Sequence, residues 1–280
     1  MKKIFFFTAL FFATQLAHAD LLVKQQAISD EFFRQPDPQA LEWQSLAATP
    51  IMLFAQNITT PGIAVATLHT ASVKAMHNGK WLGVLVEWSD PTQNIHVETD
   101  QASDAAAIQF PVHNPSTTSP FMGAKGAPVS ITNWKAIWQQ DVDVNYQQVQ
   151  DVYPNTWVDT YMFGKNVAKD SGNPIAQQDR EFPVEELMAE GFGTLTSQKQ
   201  QDARAKGVWK DGKWSVMFTR LLKSSDKHDP TFVAGGKSAI AFALWQGADE
   251  QVGARKQYAP WVNVEFEDAA AQAEAPQGGK

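Results

Sequence analysis

Between residues 80 and 88 the chain alternates as a strand does. Leu82, Val84, Val86 and Trp88 fall on one side, and Trp81, Gly83, Leu85 and Glu87 on the other. Both sides are mostly apolar, so this strand is expected to be central and covered on both faces. Across His77-Asn78-Gly79 it should pair with 72–76. Asn-Gly is the strongest short hairpin signal, since both turn residues are expected at positive φ. A second hairpin spans 207–222, turning at Asp211-Gly212, with Trp214, Val216 and Phe218 on one face. Residues 238–245 set Ala239, Ala241 and Ala243 against Ile240, Phe242 and Leu244. A face of small residues leaves room close to the sheet, for a packed helix or for a ligand. Residues 261–266 read as the last strand, and the apolar run 63–68 as another. Strands and loops are expected over 20–60, and short helices at 131–140 and 184–189. Residues 141–182 are polar, with turns at 153–155 and 172–174, and suit long loops laid over a sandwich. The fold class expected is therefore mainly β: an antiparallel β-sandwich with a few short helices and long loops.

The first nineteen residues break this pattern. Lys2 and Lys3 precede an apolar stretch from 4 to 16, and Ala17-His18-Ala19 places small residues where a signal peptidase cuts. The stretch is shorter than the ~20 residues a bilayer span requires. The expectation is a cleaved Sec-type signal peptide at 1–19, a periplasmic domain at 20–268 and a disordered tail at 269–280, where Ala, Gln, Glu, Pro and Gly bury too little to order. The mature chain is expected to have no membrane span. Loss of Lys2 and Lys3 leaves 21 basic residues against 30 acidic ones. Such a surface disfavours nucleic acid as a partner. Cysteine is absent, which excludes disulfides, cysteine-ligated iron–sulfur clusters and covalent haem attachment through CxxCH. Ten tryptophans and seventeen phenylalanines are enough to line a large apolar pocket or, equally, an aromatic core.

No GxSxG, HExxH, Walker or GxGxxG pattern occurs, and the six histidines are scattered without metal-ligand spacing. Glu185-Glu186 suits the N-terminal turn of a solvated helix better than a catalytic pair. Two segments are richer. In the first, a strand ends at Phe110-Pro111 and a loop follows with Ser119-Pro120-Phe121-Met122-Gly123, then 129–135 (VSITNWK). Met122 either fills a gap in the core or is presented by this loop to a neighbour that the glycine lets approach. In the second, Lys256 lies in a short link between two apolar strands, after Gly253-Ala254-Arg255. It reads as a solvated loop lysine or as a buried functional one.

These two segments, together with 184–194 (VEELMAEGFGT) and 211–221 (DGKWSVMFTRL), resemble the haem-binding γ subunits of periplasmic molybdenum enzymes of the DMSO reductase group. Such subunits occur in ethylbenzene dehydrogenase, dimethylsulfide dehydrogenase, chlorate reductase and selenate reductase. The resemblance spans roughly residues 60–268. It implies a β-sandwich holding one non-covalent haem b, with a methionine and a lysine as axial ligands at the positions of Met122 and Lys256. It also implies an electron-transfer subunit rather than an enzyme. Its partners would be an iron–sulfur β subunit, a molybdenum-containing α subunit and a soluble periplasmic cytochrome. Arg255, beside the lysine, would be placed for a haem propionate. Phe121, Trp134, Phe110 and Trp245 are candidates for the pocket wall or for the core. His113 is the rival ligand, histidine being the commoner choice for haem. Two other readings stay open: a periplasmic sugar- or lipid-binding module, and a free-standing cytochrome b.

Overall fold

The structure is a computed structural model that describes residues 20–157, 170–171 and 180–269. The expected signal peptide, the 172–174 turn and the tail from 270 onward lie outside the described residues.

The double-faced strand is β5 (Trp81–Ser89), with β4 (Thr70–His77) and β11 (Lys213–Leu221) on its two sides. Its two apolar faces belong to different cores. Leu82, Val84, Val86 and Trp88 point into the main core with Trp214, Val216 and Phe218. Trp81 and Leu85 point the other way, onto Phe33, Trp43 and Met217. Phe33 comes from a short helix, α1 (Asp30–Arg34), and Trp43 from a 3₁₀ turn at Leu41–Ser45. A Cβ at Gly83 would stand 3.1 Å from the Phe33 ring, so the glycine is what lets α1 lie on the strand.

Both hairpins form, by different turns. At Asp211-Gly212 both residues take positive φ, 52° and 74°, joining β10 (Arg204–Lys210) to β11. At Asn78-Gly79 only the glycine does, at 87°. Asn78 instead uses its side-chain Oδ1 to accept the N–H groups of Lys80 and Trp81, at 3.0 and 2.8 Å. An Asn side chain can replace the second positive φ by capping the turn itself.

The second layer contains β6 (Ala105–Pro111), β7 (Val129–Lys135), β8 (Val184–Ala189), β9 (Thr196–Ser197), β12 (Lys237–Trp245) and β13 (Gln257–Phe266). The full order is β10-β11-β5-β4-β1-β13-β12-β6-β7-β8-β9. Here β1 is Leu21–Gln25, β2 (Thr49–Met52) flanks β4, and β3 (Phe54–Ala55) flanks β13. The pairing is antiparallel except at β1, which runs parallel to both β13 and β4 and stitches the two layers into one curled sheet. The sheet folds over the main core, where Ile108, Phe110, Phe242, Val264 and Phe266 meet the aromatics of β5 and β11. At the far side Trp134 of β7 packs against Trp214, with ring centroids 5.0 Å apart. Its ring occupies the place of a missing side chain on β10, since a Cβ on Gly207 would fall 2.2 Å from it. Gly207→Ala is therefore expected to lower stability by about 1–3 kcal/mol through overpacking. A shift of the urea midpoint measures it, and an unchanged midpoint would refute the close approach.

Four expectations are corrected. Residues 63–68 form no regular element. The last strand starts at Gln257, not at 261. The helix expected at 131–140 begins only at Ala136, as α2 (Ala136–Asp143), because 129–135 alternates with a period of two and pairs with β6. Residues 184–189 are the strand β8, paired with β7, rather than a helix. Glu185 and Glu186 are thus buried strand residues, not a solvated helix start. Further along, α3 (Val149–Val152) is a single turn.

Glu186 accepts backbone N–H groups from Asp202 and from Ala203, the latter at 2.8 Å. Burial nevertheless raises its pKa from 4.5 to about 7. The folded state then holds a proton that the unfolded chain releases above pH 4.5. Stability should fall as pH rises from about 4.5 to about 7, by up to about 1.4 kcal/mol per pH unit. Glu186→Gln should flatten that slope in urea titrations at several pH values; an equal slope in the variant would place its origin elsewhere.

Candidate functional site

The main core faces one side of β6, β7 and β12; their other side is floored by small residues. Ala105 and Ala107 of β6 lie next to Ala243 and Trp245 of β12 in register, and Ala241 continues the row. Over this floor opens a cavity of about 710 Å³, a volume typical of small-molecule sites, which run ~300–1,000 Å³. The cavity lies on the outer face of the second layer, because the inner face is filled by aromatic side chains. The walls are loops: 97–103, 120–122, 192–195 and 250–256.

The loop after β6 carries Met122 into the wall. It is tied down at several points. Gln109 Nε2 donates to the carbonyl of Pro120 at 2.8 Å, and Trp261 Nε1 to that of Thr118 at 2.8 Å. The Gly191 N–H donates to the Met122 carbonyl at 2.7 Å. Met122 itself sits at φ 65°, a left-handed conformation that non-glycine residues rarely hold. Such positions persist where their surroundings over-determine them, and they cluster at ligand sites. Gly123 follows at φ 70°, where a Cβ would meet the Ala127 carbonyl at 2.7 Å.

Lys256 enters the same cavity from the link before β13. Its backbone is held by Gln56, whose N–H donates to the Lys256 carbonyl at 3.0 Å and whose Nε2 donates to the Ala254 carbonyl at 2.8 Å. The Trp245 Nε1 holds Gly253 O at 2.9 Å. The Lys256 Nζ lies 4.9 Å from the Trp245 ring centroid. Among the described residues it has no carboxylate partner, and burial lowers its pKa from 10.5 to about 8. Thus Met122 and Lys256, far apart in sequence, line one cavity, with a soft thioether and an amine that gives up its proton readily.

Of the other candidates, Phe121 lines the cavity and packs edge-on against Tyr258 at 5.5 Å. Arg255 lines it too, with Nη1 at 4.0 Å from Glu250. Trp245 forms part of the wall. Trp134 and Phe110 do not: alternation along β7 and β6 turns both into the main core, where Trp134 donates to Gln139 at 3.2 Å. His113 is exposed and lies outside the cavity lining. Sequence reasoning missed Gln56, Asn133 and Lys135. A lone glutamine bracing a distant loop carries no sequence signal. Asn133 and Lys135 share the Ile131 face of β7, a relation hidden once that segment is read as helix.

Among the described residues no three His, Asp or Glu side chains converge as a metal site, and no helix is long and apolar enough to cross a membrane. The cavity lining is mostly apolar and includes one thioether and one amine whose proton is easily lost. Fold and site together define a β-sandwich that carries a ligand cavity on one outer face.

The chain belongs to the ethylbenzene dehydrogenase family, whose model matches residues 40–257. It is 27% identical over 218 residues to chlorate reductase subunit gamma of Ideonella dechloratans, covering 76% of this chain and 72% of that one. It is 27% identical to dimethylsulfide dehydrogenase subunit gamma of Rhodovulum sulfidophilum, over 60% of this chain and 49% of the other. It is 24% identical to a Haloferax mediterranei protein named "Putative respiratory nitrate reductase heme subunit ORF7", over 86% and 71%. These bear out the resemblance to γ subunits carried by the four sequence segments. Among solved structures it is similar to a family 9 carbohydrate-binding module from Caldicellulosiruptor kristjanssonii in complex with glucose. The identity is 10% and the TM-score 0.40, over 89% of this chain and 95% of that one.

Proposed function

We propose that this protein is a periplasmic electron-transfer subunit that holds one haem b non-covalently. It relays electrons between the iron–sulfur subunit of a molybdenum enzyme and a soluble carrier. The observation that carries the reading is the meeting of Met122 and an unpaired Lys256 in one cavity floored by alanines. Bound haem b supplies reversible one-electron exchange at its iron. The chain's own residues do the rest. The Met122 thioether, a neutral soft donor, favours the reduced metal and raises the potential. Lys256 binds only as the free amine, and desolvation in the cavity makes that form accessible. Held by Met122 and Lys256 together, the group would offer no open position to a substrate, which suits a relay rather than a catalyst. The small side chains Ala105, Ala107, Ala241 and Ala243 leave the cavity the depth that a large flat group needs.

The relatives' names place such subunits in chlorate reductase and dimethylsulfide dehydrogenase, which supports molybdenum-containing α and iron–sulfur β partners here. Glu98, Asp100 and Glu250 at the cavity's edge would suit a basic soluble cytochrome. The leader-like residues 1–19 support the periplasm as the site of action. A sugar-binding module would display stacking tryptophans, yet of ten tryptophans only Trp157 is exposed.

The test is a visible spectrum of the exported protein, oxidised and reduced, with a pyridine haemochrome assay. One low-spin b-type haem per chain is expected. A colourless protein made with ample haem would sink the reading.

A further inference from the structure

Lys135 ends the strand β7 and lines the cavity, yet nothing described so far uses it. Its register places it opposite Ala105, which in turn lies opposite Trp245. Leu244 pairs with Gln257, so Lys256 comes next in the same row. Lys135 and Lys256 therefore stand at the two ends of one line across the floor. Three strand-to-strand steps separate them, about 14 Å at the usual spacing.

The surroundings of Lys135 are those of a cation without its counter-charge. Among the described residues its Nζ makes no ion pair or hydrogen bond; it lies 4.5 Å from the Trp138 ring centroid. Arg180 stacks on the same ring at 4.3 Å, so two positive groups share one indole. Burial lowers the Lys135 pKa, and Arg180 pushes it the same way; Glu185 opposes them. Glu185 is itself bonded to the Ser197 hydroxyl, and it lies beyond ion-pair distance of the lysine. Two residues back, Asn133 also lines the cavity, and its buried Oδ1 has no partner. That amide can turn its Nδ2 toward an acceptor without breaking a bond to Oδ1. By contrast Arg255 already faces Glu250.

We propose that Lys135, supported by Asn133, is the carboxylate-binding end of the cavity, taking the acid groups of a flat ligand that Lys256 also contacts. The inference rests on the haem reading above, in which those acids are the two propionates. A charge-assisted bond made in a half-buried site belongs among the stronger hydrogen bonds, so its loss should be plain in binding.

The experiment titrates apoprotein with haem b and, separately, with haem dimethyl ester, whose acids are masked. Wild type, Lys135→Met and Lys135→Arg are compared. Wild type should prefer the free acid by about tenfold or more. Lys135→Met should lose the preference while keeping the low-spin spectrum and wild-type thermal unfolding. Lys135→Arg should restore it. An undiminished preference in Lys135→Met, or equal affinity of wild type for both porphyrins, overturns this inference and leaves the haem reading standing. Binding of neither porphyrin by wild type overturns both.

Discussion

Lys256→Ala is expected to yield a folded protein that has lost the low-spin b-type spectrum, or that retains haem weakly in a high-spin form. Its neighbour cannot replace the amine: the Arg255 guanidinium offers no acceptor atom and faces Glu250 at 4.0 Å. With a pKa of about 8, about a tenth of the amine is free at pH 7 before any ligand binds. An ordinary lysine near ~10.4 would offer well under a thousandth. The cavity would thus lower the cost of ligating a haem iron. The same desolvation makes the apoprotein's lysine a burden, since a buried ammonium without a partner opposes folding. Apo Lys256→Ala should accordingly be at least as resistant to urea as apo wild type. Loss of the spectrum with stability intact separates a ligand from a structural residue; Met122→Ala should show the same spectral loss. A Lys256→Ala protein with an unchanged low-spin spectrum would exclude the lysine as a ligand and reopen the question of the second axial donor.

The second large effect lies in the buried interior. Arg220 of β11 is 4% exposed and meets Asp229, 3% exposed, at 3.4 Å. Asp229 also accepts the Ser130 hydroxyl at 2.9 Å, while the guanidinium donates to the Pro230 carbonyl at 3.3 Å and lies 5.6 and 5.9 Å from the rings of Phe232 and Phe110. Glu186 feels both charges: Asp229 raises its pKa and Arg220 lowers it. Removing the arginine strands a buried carboxylate beside a second one. Arg220→Met should therefore lower unfolding free energy by about 3–5 kcal/mol. Adding Asp229→Leu should recover much of the loss, since the double change removes the stranded charge. Urea unfolding of wild type, Arg220→Met, Asp229→Leu and the double variant measures the coupling. A single-variant loss under about 1 kcal/mol would mean that water reaches the pair.

Much of this was legible in the chain. The alternation in β5, β11 and β12 announced two covered layers, and Asp211-Gly212 announced its turn. The alanines at 239, 241 and 243 announced a face with room above it, though 239 sits beyond the cavity. Resemblance then singled out Met122 and Lys256, and the structure places both in one cavity. The errors were local and of one kind. Short apolar segments such as 184–189 do not distinguish helix from strand, because a strand buried on both faces loses its polar alternation. Reading 131–135 as helix hid the face that Lys135 shares with Asn133 and Ile131.

What the sequence determined by itself is the β class, the hairpin pairs, the exclusion of cysteine chemistry and the residue types able to bind a soft metal centre. These rest on local rules: period, turn stereochemistry and the donor atoms a side chain carries. Only the tertiary structure decided which face bears the cavity, that β1 joins the layers in parallel, and that Lys256 lacks a counter-charge among the described residues. Those depend on strands distant in the chain, whose register sets which side chains share a face and whose burial sets how far an amine moves from its solution pKa.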